Sequence, residues 1–66
     1  MTNKEAARIA VECIQTRMKF YAVNANIARM DPNAPESCRY ALKEYTRLAK
    51  ALKFYNAVLV QGEMEL

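Results

Sequence analysis

Apolar residues recur at steps of three and four along two stretches of this chain and thin out between them. In the second stretch the steps fall on Cys38, Leu42, Tyr45, Ala49, Leu52, Asn56 and Leu59. In the first they fall on Ala6, Ala10, Cys13, Arg17, Phe20, Asn24 and Ile27. Alternating three- and four-residue steps are the a/d pattern of helices packed side by side. Between them lies Met30-Asp31-Pro32-Asn33-Ala34-Pro35-Glu36-Ser37, which holds both prolines. The pattern predicts one turn with two helical arms.

The ends of the arms carry their own signals. Thr2-Asn3-Lys4-Glu5 is a capping box, in which the Thr2 hydroxyl takes the Glu5 amide and the Glu5 side chain reaches back. Residues 3–30 contain no Gly or Pro, so a single helix is expected over about 3–30. Pro32 disfavours helical geometry in the residue before it and ends this helix. The turn is expected at about 31–34. Asn33 then reads as an N-cap, with Pro35 in the first turn and Glu36 three residues after the cap. A second helix follows over about 34–61. Gly62, the single glycine, stands where a C′ residue belongs, and 62–66 reads as a short tail.

The expected fold is all-α. It is an antiparallel two-helix hairpin in one domain, 1–66, assembling into a homo-oligomeric helical bundle (a four-helix bundle if dimeric). Folding the arms together lays the two seams against each other and sets Arg17 near Ala49 and Ala10 near Asn56. Apolar residues also spread beyond the seams. Ile9, Val11, Ile14, Met18, Phe20 and Tyr21 widen the first arm's arc, and Tyr40, Leu48, Tyr55 and Val58 widen the second. One neighbouring helix does not cover so wide an arc. Sixty-six residues enclose little interior, yet 53% of them are hydrophobic. Self-association is the expected outlet, a dimer first because two-fold symmetry is the commonest.

Ten basic and seven acidic residues give a net charge of +3, which permits an anionic partner without demanding one. The longest apolar runs are Phe20-Tyr21-Ala22-Val23 and Ala57-Val58-Leu59-Val60, far short of the ~18 residues of a spanning helix. Charged residues interrupt the start of the chain, unlike a signal peptide, and a cytoplasmic setting without membrane contact is expected.

Two polar constellations carry candidate chemistry. Arg17 and Asn24 lie seven residues apart inside the apolar arc, with Tyr21 between them. They read as a buried polar layer that fixes register, as a ligand pocket, or, for Arg17, as a side chain that snorkels to water at the rim. In the pocket, Arg17 grips a phosphate or carboxylate with its planar fork while Tyr21 and Asn24 add hydrogen bonds. The second constellation is a basic row on the outer face of the second arm: Arg39, Lys43, Arg47, Lys50 and Lys53, with Phe54 projecting among them. It reads as a solvated face, or as a surface for nucleic acid or an acidic partner.

Catalysis is not expected. The chain has no His, the commonest general base and a usual ligand of zinc and di-iron sites, and no Gly-rich phosphate loop. No cofactor and no metal is expected. Cys13 and Cys38 fall about 20 Å apart along an antiparallel hairpin, too far to bridge, and read as reduced core residues.

The plan of two capped helices, a short turn and a heptad seam resembles the plasmid-encoded ROP-type hairpin. That resemblance, in architecture alone, implies an antiparallel dimeric bundle that binds RNA. Short oligomer-prone helical chains are also similar in size to phage accessory and anti-defence proteins. Three non-catalytic functions follow as expectations. The first is sequestration of a phosphorylated small molecule or signalling nucleotide at an oligomer interface, through Arg17, Tyr21 and Asn24. The second is regulation through nucleic acid, RNA in particular, bound by Arg39, Lys43, Arg47, Lys50 and Phe54. The third is inhibition or adaptation of a larger host protein.

Overall fold

In the computed structural model the chain is a helical hairpin of two elements, α1 (Asn3–Met30) and α2 (Glu36–Met64). The structure describes residues 2–64, and side chains for residues 2–61. The hairpin measures 49 × 18 × 12 Å.

Thr2 caps α1 as its sequence predicts. Its backbone is extended, and its Oγ1 accepts the Glu5 amide at 3.1 Å. Its carbonyl accepts the Ala6 amide at 3.0 Å. Thr2→Ala leaves one amide without its partner and is expected to cost about 0.5–1 kcal/mol, read from the midpoint of urea unfolding.

The far end of α1 closes where proline forbids more helix. The Asp31 amide makes the last bond, to the Ile27 carbonyl at 3.0 Å. Asp31 itself is extended, at φ −130 and ψ 105, as a residue before proline prefers. Asp31 then builds the turn. Its carboxylate accepts the Asn33 amide at 2.9 Å, and its carbonyl accepts the Ala34 amide at 3.1 Å.

This turn corrects the expected start of α2. Asn33 does not cap the helix: it belongs to the turn, its amide on the Asp31 carboxylate, and it lies two residues before Pro35, which immediately precedes the first helical residue. The Pro35 carbonyl is the first acceptor, taking the Cys38 and Arg39 amides at 3.0 and 3.2 Å. The helix therefore begins at Glu36, two residues late. It also runs past its expected end, through Gly62 to Met64. No positive φ occurs among the described residues, so the glycine is an interior helical residue and not a left-handed cap. The expected tail lies partly in the helix, and Glu65–Leu66 fall outside the described residues.

The packing shows one seam between the helices. On α1 the covered residues are Ala7, Val11, Ile14, Met18, Tyr21, Ala25 and Ala28, again at steps of four and three. On α2 and just before it they are Ala34, Cys38, Ala41, Tyr45, Leu48, Leu52, Tyr55 and Leu59. Small residues cluster at the turn end, where Ala25, Ala34, Cys38 and Ala41 are buried. Larger half-buried side chains fill the middle and, with the buried Ala7, the open end. Helix separation depends on the side chains between the axes, and the small residues near the turn permit a close approach there. Tyr21 meets the Tyr40 ring edge-on at 6.4 Å, and the Arg29 guanidinium lies 5.4 Å from the Tyr45 ring centre.

The seam of α1 differs from the expected one by one residue throughout, a rotation of about 100°. Arg17, Asn24, Phe20, Cys13 and Ile27 face outward, and Arg17 does not enter the hairpin interface against Ala49. The reason is chemical. The true seam contains no arginine and no asparagine, and its small members match those of α2. On α2 the correction is smaller. Cys38, Leu42, Tyr45, Ala49, Leu52 and Leu59 are buried or half-buried as expected, Ala41, Leu48 and Tyr55 are covered beside them, and of the expected seam residues Asn56 is the exposed one.

Candidate functional site

The hairpin has two long edges of opposite character. On α1 a second run lies roughly 160° around the helix from the seam, counted at 100° per residue. It comprises Ile9, Cys13, Thr16, Phe20, Val23, Ile27 and Met30, and all seven are exposed. Phe20, Val23 and Met30 are 77%, 72% and 79% exposed, so neither their own helix nor α2 shelters them. The Thr16 hydroxyl is turned back to the Glu12 carbonyl at 2.9 Å, which leaves its methyl group for the stripe. The four-three stepping of this stripe is present in the sequence. The run through Ala6, Arg17 and Phe20 obscures it, because that run shares Cys13, Phe20 and Ile27 with the stripe while its other members lie between the stripe and the seam.

On α2 the basic row lies roughly 170° from its seam, on the other long edge. Arg39, Lys43, Arg47, Lys50 and Lys53 are all exposed, as the sequence spacing predicts. From first to last they span about 21 Å of helix. Arg47 pairs with Glu44 at 3.1 Å; the partners' side chains are 71% and 20% exposed. A pair so open to water contributes about 0–1 kcal/mol. No described acid pairs with Arg39, Lys43, Lys50 or Lys53. Phe54 stands among them, exposed, its ring edge-on to Tyr55 at 5.3 Å. Nearer the turn, Glu36, Arg39, Tyr40 and Lys43 line a shallow depression of the same edge.

Arg17, Tyr21 and Asn24 share one side of α1 without forming a closed site. Arg17 and Asn24 are exposed, and Tyr21 is half-buried against Tyr40. Arg17 also borders a surface depression with Glu12, Cys13 and Thr16, beside the outer stripe. The groove between the helices, lined by Gln15, Met18, Lys19, Ala22, Tyr45 and Leu52, lies on the opposite side of α1 from Arg17. The cysteines are free. Cys38 is buried as expected, but Cys13 is exposed, because the rotation of α1 turns it outward. No cluster of three or more metal-binding side chains occurs among the described residues, and no described helix is long and apolar enough to cross a membrane.

No protein-family model, no curated protein and no solved structure matches the chain. The likeness to the ROP-type hairpin is thus one of plan alone.

Proposed function

We propose that the protein is a non-catalytic binding module that holds a nucleic-acid backbone along the outer edge of α2 and works as a homo-oligomeric bundle. One observation carries this reading. Four cations without a described acidic partner stand in one exposed row, and an unsheltered phenylalanine stands among them. Like charges at i,i+4, as at Arg39–Lys43 and Lys43–Arg47, cost a helix a few tenths of a kcal/mol each. An anionic polymer turns that repulsion into attraction and releases its own counterions. Phe54 offers a flat face on which an unpaired base can stack. The row, the ring and the depression at Arg39–Lys43 together form a strip without walls, which suits a polymer better than a small molecule.

Self-association is supported by the thin interior. The buried apolar residues are Ala7, Ala25, Ala34, Cys38 and Ala41, all small, while eight large apolar residues are exposed. A chain of this size needs further burial or a covalent staple to be stable.

A second reading retains the small anion. Arg17 and Asn24 flank the outer stripe of α1, so a chain docked there would wall them in. On that reading Arg17 binds a phosphorylated ligand only in the assembled protein.

Fluorescence anisotropy with a labelled hairpin RNA and a labelled duplex DNA tests the first reading. Four phosphate contacts make binding on the order of a hundredfold weaker between 50 and 200 mM salt. Absence of binding at low salt, or binding indifferent to salt, would count against it.

A further inference from the structure

We infer that the outer stripe of α1 is the seam of a parallel, in-register coiled coil between two copies of this chain. The inference rests on the assembly proposed above and adds its surface, its direction and its register.

The stripe is a heptad run in its own right. Cys13, Phe20 and Ile27 take the a positions; Ile9, Thr16, Val23 and Met30 take the d positions. Such a run sustained over three heptads is the signature of one helix seated along another. It accounts for five of the eight large exposed apolar residues: Ile9, Phe20, Val23, Ile27 and Met30. The hairpin cannot cover it, because α2 already lies on the opposite side of α1. A second α1 covers it with the same pattern.

The flanking charges choose the direction. In a parallel pair, each g residue faces the e residue five positions on in the partner copy. That rule sets Glu12 against the second copy's Arg17, and by symmetry this happens twice. Glu5 then faces Ala10 and Lys19 faces Asn24, so no like charges meet. An antiparallel pair that overlaps along the whole stripe brings the two Lys19 residues together and sets Glu12 opposite Asn26, without its arginine. The parallel arrangement is therefore favoured by charge. It also leaves the two basic α2 edges on the far sides of the dimer, free for a partner.

Wild-type protein oxidised with copper phenanthroline tests this directly. In register, the two Cys13 residues share an a layer and come within disulfide reach. A fully overlapped antiparallel pair keeps them about 20 Å apart along the axis. Sedimentation before oxidation reports the assembly itself. The expected result is a dimer that becomes disulfide-linked through Cys13. Cys13→Ser abolishes the link, Cys13→Ser with Phe20→Cys restores it one a layer on, and Cys13→Ser with Gln15→Cys does not. An oligomer whose Cys13 residues fail to link, or link no faster than the Gln15→Cys control, overturns this seam and leaves the assembly standing. A monomer at high micromolar concentration overturns both.

Discussion

Reversing Lys43 and Lys50 to glutamate is expected, on the proposed reading, to abolish nucleic-acid binding while the helices stay intact. Each reversal removes two units of charge, so the net charge falls from +3 to −1. Both side chains are exposed and neither has a described acidic partner, so no structural contact is broken. The helix gains if anything. A glutamate in place of Lys43 would sit four residues from both Arg39 and Arg47. It would replace two repulsive pairs by two attractive ones, each contributing about 0.2–0.5 kcal/mol. Circular dichroism is expected to report equal or slightly higher thermal stability, and anisotropy no measurable binding at low salt. A matched control is Arg17→Met, which leaves the α2 edge untouched and should leave nucleic-acid binding unchanged. The small-anion reading inverts this pattern: Arg17→Met loses the ligand and the α2 reversals do not. Nucleic-acid affinity that survives the α2 reversals would remove the first reading.

The second large effect is on stability. Ala41→Leu is expected to destabilise the protein by about 1–3 kcal/mol, the usual cost of forcing extra methylenes into a packed interface. Ala25 and Ala41 are 1% and 2% exposed and sit among the small buried residues near the turn. The turn at Asp31–Ala34 is short and held by two hydrogen bonds, so the helices cannot part freely there. For a chain of this size each kcal/mol lowers the melting temperature by roughly 4–8 °C, which makes the change easy to read. Thr46→Ala on the exposed face of α2 is the comparison and should stay within about 0.5 kcal/mol of wild type. A stable Ala41→Leu protein would mean that the turn end is looser than the burial of Ala25 and Ala41 implies.

Much of the fold is legible in the chain because its signals are local. Thr2 caps from three residues away, and Pro32 stops α1 through the geometry of its own ring. The rotation of α1 is not local. Two four-three runs share that helix, and a single sequence does not say which one meets α2. The choice depends on matching partners: Ala25 and Ala28 suit Ala34, Cys38 and Ala41 across the turn, whereas Phe20 and Arg17 do not. That pairing also explains why Arg17 and Asn24 lie outside the hairpin interface. The start of α2 is not legible either: a turn anchored on Asp31 takes up the Asn33 and Ala34 amides and the helix starts only at Glu36, which a capping rule applied to Asn33 alone does not register. The basic edge is legible since its five cations recur on one face of a single helix, and no tertiary choice enters. Gly62 misleads for a simpler reason. A glycine near a helix end permits a left-handed cap without requiring one.

On the proposed reading the two edges of the hairpin do different work: α1 associates with a second copy and α2 holds the anionic polymer. An NMR titration of nitrogen-15-labelled protein with a short hairpin RNA reads both edges at once. The expected result is amide shift changes confined to residues 39–54 of α2, with the outer stripe of α1 unmoved and the dimer intact. Changes centred on Ile9, Phe20 and Val23, or on Arg17 and Asn24 with α2 silent, would contradict this division of labour.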